Sequence, residues 1–180
     1  MNSTRLEINI AHQQLTVFVD TGTDTNIRTE SVQNYPIATA KNGIGQYEGS
    51  ECTPLGKHRI FEKIGSELAE NTVFVGRKPT GEIYDESLSK KYPERDWILT
   101  RILWLQGEEA GFNQGHTQNQ ETGTLVCCDT KARYIYIHGC PDTHPMKIPS
   151  SHGCIKMRNA DIIQLYEHVA VGTMVQILAE

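Results

Sequence analysis

Polar and hydrophobic residues alternate along much of the N-terminal part of this chain, which is the pattern of β-strands with one buried face. Residues 6–10 (LEINI) and 15–19 (LTVFV) flank a short polar stretch, so they predict a β-hairpin. The polar residues 20–30 predict a turn-rich segment. Residues 31–40 predict a third strand, which Pro36 places at a sheet edge or a bend because proline cannot donate to a ladder.

Further strands are predicted in the middle and at the end of the chain. Residues 97–105 (WILTRILWL) are the most apolar segment, and their β-branched and aromatic side chains favour a buried strand over a helix. The other predicted strands are residues 57–64, 133–137 and 174–178.

One helix is predicted over residues 159–171. Asn159 is a candidate N-cap, and Gly172 is expected to end the helix. One apolar face recurs at helical spacing and consists of Ile162, Leu165, Tyr166 and Val169. Seven or eight strands and one helix predict a mainly β fold, and 180 residues are enough for a single domain over 1–180 with its own core.

The segments between these elements are polar. The three glycines of residues 41–50 predict turns rather than a phosphate-binding loop, since neither Gly-Lys-Ser/Thr nor a helix follows them. Residues 65–96 are predicted as polar surface, with a charged stretch at 84–95. Residues 107–123 form a long predicted loop, for which a lid or substrate-binding role is expected.

Composition narrows the class of protein. The chain has 17 basic and 22 acidic residues and a net charge of −5, which argues against a nucleic-acid partner. No basic segment followed by an apolar core begins the chain, and no apolar run approaches the roughly 20 residues of a membrane span. We therefore expect a cytoplasmic protein without membrane contact. Five cysteines, an odd number, suit reduced thiols in a reducing compartment.

Candidate chemistry concentrates in residues 138–154, where His-Gly-Cys occurs twice, at 138–140 and at 152–154. The stretch follows a predicted strand and precedes the predicted helix, a common place for reactive groups because a rigid scaffold holds a loop.

One interpretation of this stretch is a cysteine nucleophile. Cys154 lies among His152, Lys156 and Arg158, which are expected to favour a thiolate. His138 is the candidate base, with the Gly139 carbonyl to orient its ring. The amides around Gly153 are candidate donors to an oxyanion.

Two alternatives stay open from the residues alone. His138, Cys140, His152 and Cys154 are ligand types for zinc, although their spacing matches no common zinc motif. The histidines and cysteines could also be packed residues without chemistry.

Three segments together resemble a known family. The first is residues 136–139 (YIHG). The second is residues 151–159 (SHGCIKMRN), which a predicted helix and residues 171–175 (VGTMV) follow. The third is residues 53–56 (TPLG), which precede a predicted strand. The chain resembles the YkuD-type L,D-transpeptidase domain over roughly residues 5–179. The resemblance implies a mixed β-sandwich or barrel with one helix after the catalytic cysteine, no cofactor, and a cysteine acyl-enzyme mechanism.

The resemblance also implies roles for individual residues. Cys154 becomes the nucleophile, His138 the base and Gly139 the orienting carbonyl, with His152 and the Gly153 and Cys154 amides near the oxyanion. Candidate substrate-binding residues are Ser151, Lys156, Arg158 and Asn159, although Ser151 fits a structural role as well, and the others could equally frame the turn. Many family members have Asn or Arg where Lys156 stands, and Cys140 could pair with Cys154 on oxidation.

The implied substrate is a peptidoglycan tetrapeptide or muropeptide, attacked at the bond between meso-diaminopimelate and the terminal D-Ala. Because the sequence shows no export signal, we expect an L,D-carboxypeptidase that hydrolyses recycled muropeptides in the cytoplasm. The alternative is a periplasmic L,D-transpeptidase that transfers the acyl group to an amine.

Overall fold

A computed structural model describes residues 3–23, 26–119 and 122–180. The chain starts with strand β1 (Ser3–Asn9), which pairs antiparallel with β2 (Gln14–Thr23) and confirms the predicted hairpin. Leu6 and Ile8 of β1 are fully buried while their neighbours are partly exposed, as the alternating pattern requires.

The second hairpin strand continues further than predicted. β3 (Asn26–Pro36) pairs with β2 along its whole length, so most of residues 20–30 are strand rather than turn. Residues 24 and 25 lie outside the described part of the chain. The prediction of a turn was wrong because both strands extend beyond the core. A two-stranded ribbon there exposes both faces, so polar side chains are compatible with strand structure. β3 ends at Pro36, earlier than the predicted residue 40.

A mixed ten-stranded sheet organises the described residues. Besides the three N-terminal strands it contains β4 (Gly56–Ile64), β7 (Ile98–Gly107), β10 (Tyr136–Gly139), β11 (Ile155–Met157) and β12 (Met174–Leu178). Eight strands follow the order β11-β10-β7-β4-β12-β1-β2-β3, and the other two, β5 (Thr72–Val75) and β6 (Lys78–Ile83), join through β7. β12 matches its predicted bounds. β10 overlaps the strand predicted at 133–137 but begins three residues later, at Tyr136. Isolated bridges from Ala38 to Lys156 and from Ala40 to Ser151 connect the segment after β3 to the opposite end of this order, in the manner of a barrel.

The predicted mainly β fold is confirmed, but the elements are more numerous than expected. The described residues contain twelve strands and two helices. Those missed by the prediction are β5 (Thr72–Val75), β6 (Lys78–Ile83), helix α1 (Glu86–Lys91), β8 (His116–Gln118), β9 (Leu125–Cys127) and β11. All six are short, and α1 buries none of its residues, so a hydrophobic pattern could not reveal them.

Helix α2 (Asn159–His168) packs on the sheet with the predicted apolar face. It ends at His168, three residues before the predicted end, and the ammonium of Lys63 donates to the carbonyls of Tyr166 and Val169 at 2.6 and 2.7 Å. A cation at this position stabilises the carboxyl end of a helix. Neither helix of the described residues has the length and apolar character to cross a membrane.

Candidate active site

Cys154 lies directly before β11, beside the first residue of β10. The backbone N–H of Tyr136 donates to its Sγ at 3.4 Å, and the thiol lies 3.5 Å from the carbonyl oxygen of Tyr134. The side chain is half-buried and packs against the apolar cluster that contains Tyr136. The thiol therefore has a defined position and part of its residue still contacts solvent.

His138, in β10, is almost completely buried. Its Nδ1 lies 2.8 Å from the carbonyl oxygen of Gly139, which is the contact predicted from the sequence. Because a carbonyl oxygen only accepts, Nδ1 carries the hydrogen and Nε2 has the free lone pair. Burial lowers the pKa of His138, although the Asp96 carboxylate and the Gly139 carbonyl act in the opposite direction. The ring is therefore neutral at pH 7 and can accept a proton at Nε2.

The register of the sheet brings His138 and Cys154 to the same face. β10 and β11 run parallel with His138 opposite Lys156, and Cys154 is two residues before Lys156. Strand geometry separates the Cα atoms of His138 and Cys154 by roughly 8 Å, from ~4.8 Å across the pair and ~6.6 Å along it. Side chains as long as histidine reach a diagonal neighbour at this separation.

The surroundings of Cys154 favour the neutral thiol over the expected thiolate. Burial raises the pKa of Cys154 to about 12, and the Asp96 carboxylate raises it further. The Tyr136 N–H, Lys156 and Arg133 lower this pKa without overcoming the loss of solvation. A base must therefore remove the proton when the sulfur attacks.

Ser151 closes the turn that carries Cys154. Its Oγ donates to the Cys154 carbonyl at 2.5 Å and accepts from the Gly153 N–H at 3.2 Å. The predicted oxyanion role of the Gly153 amide is therefore not supported, because this turn directs its hydrogen to Ser151. The Cys154 N–H forms no hydrogen bond with residues 3–23, 26–119 or 122–180, so it remains a candidate donor to an oxyanion.

Gly153 is required by the conformation of the turn. Its φ is +134°, and a Cβ there would lie 2.9 Å from Cδ1 of Ile135 and 3.3 Å from the carbonyl oxygen of Cys52. Any larger residue would displace the backbone next to Cys154.

Lys156 faces an acid that the sequence did not single out. Its ammonium is nearly buried and lies 3.2 Å from Asp96 Oδ1, while Oδ2 of the same carboxylate lies 3.6 Å from Nδ1 of the exposed His152. Burial would raise the pKa of Asp96, but Lys156, His138 and His152 outweigh it and lower that pKa. Lys156 is thus paired within the protein, with its carboxylate partner still partly exposed.

Asn159 is not the helix N-cap, and its side chain makes buried contacts within the protein. Arg158 occupies the N-cap position without a capping bond from its side chain. The Asn159 side chain is fully buried, donates to the carbonyl oxygen of Cys140 at 3.1 Å and to Asn71 Oδ1 at 3.0 Å, and accepts from Thr100 Oγ1 at 2.5 Å. It connects the end of β10 to β7, which supports the alternative that it frames the turn.

Two other candidate substrate-binding residues, Ser151 and Arg158, make hydrogen bonds within the protein. Ser151 is buried and its hydroxyl is used in the turn, so the structure supports its structural role rather than a substrate contact. Arg158 is exposed, and its guanidinium donates to the carbonyl oxygen of Asp142 at 2.9 Å. Arg158 is also absent from the linings of the two clefts that border this group.

Cys140 is too far from Cys154 to form a disulfide with it. Its Sγ is buried against the carbonyl oxygen of Met157 at 3.3 Å, and burial raises its pKa to about 12. Along the strand direction, Cys140 and Cys154 are about four residues apart, roughly 13 Å, whereas a disulfide needs Cα atoms within about 7 Å. The same separation prevents the four proposed zinc ligands from meeting, and no group of three suitable ligands occurs within residues 3–23, 26–119 and 122–180.

Two clefts are lined by residues that neighbour Cys154, although Cys154 itself lines neither of them. One, of about 290 Å³, is lined by His152, Arg133 and Tyr134 and has two acidic residues, Glu48 and Glu51. The other, of about 320 Å³, contains the Asp96–Lys156 pair. These clefts are the candidate binding places for a substrate on the residues around Cys154.

Sequence reasoning missed two contributors to the site, Asp96 and Arg133. Asp96 followed a stretch that was interpreted as charged surface. Arg133 is held by the loop before β4, since it donates to the carbonyls of Gly45, Gln46 and Cys52 at 3.1, 2.9 and 2.7 Å. Asp96 is distant in sequence from the residues it contacts, so no local signal could reveal it, whereas Arg133, a cation three residues before the buried strand β10, was visible.

Comparisons with known proteins agree on one family. The family model described as "L,D-transpeptidase catalytic domain" (YkuD) matches residues 3–177. A curated relative from Salmonella typhimurium, "Probable L,D-transpeptidase ErfK/SrfK", is 46% identical over 46 residues, which are 26% of this chain and 15% of that protein.

Solved structures share the fold at low identity. Bd1075 from Bdellovibrio bacteriovorus is 16% identical with a TM-score of 0.57, over 98% of this chain and 47% of that one. An L,D-transpeptidase from Mycobacterium smegmatis is 13% identical with a TM-score of 0.51, over 99% of this chain and 59% of that one. This chain therefore corresponds to only part of each of these proteins.

Proposed function

The chain belongs to the family of L,D-transpeptidase catalytic domains, and from this premise we propose that it is a cysteine acyl-transfer enzyme acting on peptidoglycan peptides. The bond that it cleaves joins meso-diaminopimelate to the terminal D-Ala of a murein tetrapeptide. One observation carries the assignment of roles. The free lone pair of His138 Nε2 and the half-buried thiol of Cys154 share one face of the sheet.

The reaction begins with proton transfer. His138 Nε2 takes the proton of the neutral Cys154 thiol as the sulfur attacks the carbonyl carbon of diaminopimelate. The N–H of Cys154 donates to the developing oxyanion, while the carbonyl of Gly139 holds the protonated ring in place. The imidazolium then protonates the leaving D-Ala amine, and a thioester to Cys154 remains.

We propose water as the acceptor that resolves the thioester. His138 removes a proton from water, the hydroxide oxygen bonds to the acyl carbon, and Cys154 recovers its proton as the tripeptide leaves. This L,D-carboxypeptidase reaction suits muropeptide recycling in the cytoplasm. The support for that location is that all five cysteines are free thiols, as expected in a reducing compartment.

Transfer to an amine is the second candidate. The cleft with Glu48 and Glu51 presents negative charge beside His152, two residues before Cys154, and this charge attracts the ammonium group of an acceptor peptide or a D-amino acid. This observation favours an L,D-transpeptidase, with the same thioester as its intermediate.

The test is product analysis by mass spectrometry. The protein is incubated with a disaccharide tetrapeptide in reducing buffer, with and without D-methionine as acceptor. We expect a disaccharide tripeptide and free D-Ala, and a Cys154→Ala variant should lose at least about 10⁴-fold in rate. Cys127→Ala, which removes a half-buried thiol on β9, is the matched control and should retain activity.

The outcomes separate the candidates. If exchange or cross-linked products exceed the tripeptide, the reaction assigned to this protein becomes transpeptidation instead of hydrolysis. A Cys154→Ala variant as active as the wild type would overturn the nucleophile assignment itself.

A further inference from the structure

Arg77 lies close to the proposed nucleophile but has no part in the chemistry described above. It occupies the second position of the two-residue turn that joins β5 to β6, where Val75 pairs with Lys78. Its φ is +67°, a conformation that side chains other than glycine adopt at a cost. Such a turn usually takes Asn-Gly, so the arginine requires another explanation.

Contacts with three aromatic residues hold the guanidinium in place. Its Cζ lies 4.4 Å from the ring centroid of Trp104 and 4.8 Å from that of Tyr134. Its Nη1 donates to the hydroxyl of Tyr136 at 3.0 Å. Stacking on aromatic faces suits arginine and orders its planar fork in advance of binding.

The same guanidinium lacks an acidic partner. Within residues 3–23, 26–119 and 122–180 no carboxylate lies within ion-pair distance of Arg77, and Glu62 acts on it only from further away. One of its five N–H groups donates to Tyr136, so the other four remain available. Arg77 is half-buried, which strengthens its interaction with an anion relative to an exposed cation.

Tyr136 connects Arg77 to the thiol. Its N–H donates to Cys154 Sγ, and its hydroxyl accepts from Arg77. The thiol therefore contacts the backbone end of Tyr136, and the guanidinium contacts the hydroxyl end of the same residue.

We propose that Arg77, ordered by Trp104, Tyr134 and Tyr136, binds the side-chain carboxylate of the diaminopimelate residue whose carbonyl Cys154 attacks. That carboxylate is six bonds from the attacked carbon, roughly 7–8 Å away when the side chain is extended. A charge-assisted hydrogen bond of ~2.8 Å would then join it to a cation at the far end of Tyr136. The terminal D-Ala carboxylate is only three bonds from the attacked carbon, so it reaches less far from the thiol. The proposal rests on the proposed function and assigns Arg77 to substrate selection.

The test compares two tetrapeptides, one with the free side-chain carboxylate of diaminopimelate and one with the amide at that position. We expect the wild type to prefer the acid. Arg77→Gln should lower kcat/KM for the acid by about 10- to 100-fold, the value of a hydrogen bond to a charged group, and leave the amide almost unchanged. Arg77→Lys should restore part of the preference. Arg59→Gln, which removes a surface arginine paired with Glu108, is the matched control.

A binding measurement keeps this proposal separate from the proposed function. Calorimetry with Cys154→Ala and with the Arg77→Gln/Cys154→Ala double variant measures the affinity for both tetrapeptides without turnover. Weaker binding of the acid alone in the double variant supports the subsite. Equal loss for acid and amide, or no loss, overturns it, whether or not the wild type cleaves either peptide. Thermal unfolding of each variant shows whether the fold is retained.

Discussion

Thr53 Oγ1 donates a 3.0 Å hydrogen bond to the carbonyl oxygen of Gly153, the residue before the proposed nucleophile. The same hydroxyl accepts from the Ala40 N–H at 3.0 Å. Both partners are buried, so this hydroxyl is the point at which the loop before β4 holds the turn that carries Cys154. It gives a physical reason for the Thr-Pro-Leu-Gly segment that the sequence singled out.

Replacing Thr53 by valine keeps the shape and removes both bonds. We expect the free energy of unfolding to fall by about 1–3 kcal/mol, because two buried backbone groups lose their partner. We also expect kcat to fall by about 10- to 100-fold, since a small displacement of Cys154 disturbs the attack geometry. Chemical denaturation and steady-state D-Ala release measure the two effects. Thr21→Val, which removes a hydroxyl from the distant β2–β3 hairpin, should change neither by a comparable amount.

The raised pKa of Cys154 predicts how its thiol reacts with iodoacetamide. Because this pKa is about 12, the alkylation rate should keep rising with pH through pH 10 and show no plateau near neutrality. Peptide mapping by mass spectrometry, after timed alkylation between pH 6 and pH 10.5, follows Cys154 alone. A plateau reached by pH 7 would show a preformed thiolate and contradict the neutral-thiol mechanism.

The lowered pKa of His138 predicts the acid side of the activity profile. Deprotonated His138 is the active base, and burial moves its pKa below the usual 6.5, so the acid limb of kcat/KM should have its midpoint below pH 6.5. The same shift means that the unfolded state takes up a proton before the folded state does. Stability from this group is therefore complete above pH 6.5 and is lost as the pH falls toward the folded pKa. A half-maximal kcat/KM above pH 6.5 would contradict this assignment.

Asp96→Asn should alter both titrations in the same direction. The Asp96 carboxylate raises the pKa of His138 and that of Cys154, so its removal should lower both. The acid limb of kcat/KM then moves to lower pH, and alkylation of Cys154 becomes faster at pH 8. Lys156 loses its partner, and we expect a loss of about 1–2 kcal/mol of stability, limited because the carboxylate is partly exposed. Glu94→Gln, two residues away and exposed, is the control, and identical profiles for both variants would contradict the electrostatic role of Asp96.

Asn159→Ala tests whether this residue frames the site or contacts substrate. The side chain makes several buried hydrogen bonds, so we expect its removal to cost about 2–4 kcal/mol of stability. If Asn159 acts through the backbone at the end of β10, kcat should fall while KM changes little. A change confined to KM with unchanged stability would restore the substrate-binding interpretation. Asn34→Ala, which removes an amide from the edge of β3, serves as the comparison.

The sequence by itself determined the main strands and the position of the candidate chemistry. Alternating residues specified β1 and β2, the apolar run specified β7, and the Ser-His-Gly-Cys stretch indicated Cys154 as the candidate nucleophile by residue type. These signals are local, because side-chain periodicity and short motifs act over a few neighbouring residues. His138 and the Gly139 carbonyl are adjacent in the chain, so their contact was also predictable.

Only the tertiary structure decided the electrostatics of the site and which polar residues make buried contacts within the protein. Asp96 reaches Lys156 across the fold, and Asn159 reaches Thr100 and Asn71. Burial of Cys154 reverses the expected ionisation of its thiol, since desolvation outweighs the nearby cations. Desolvation and contacts between distant segments depend on how the strands pack together, and no local pattern of residues records that packing.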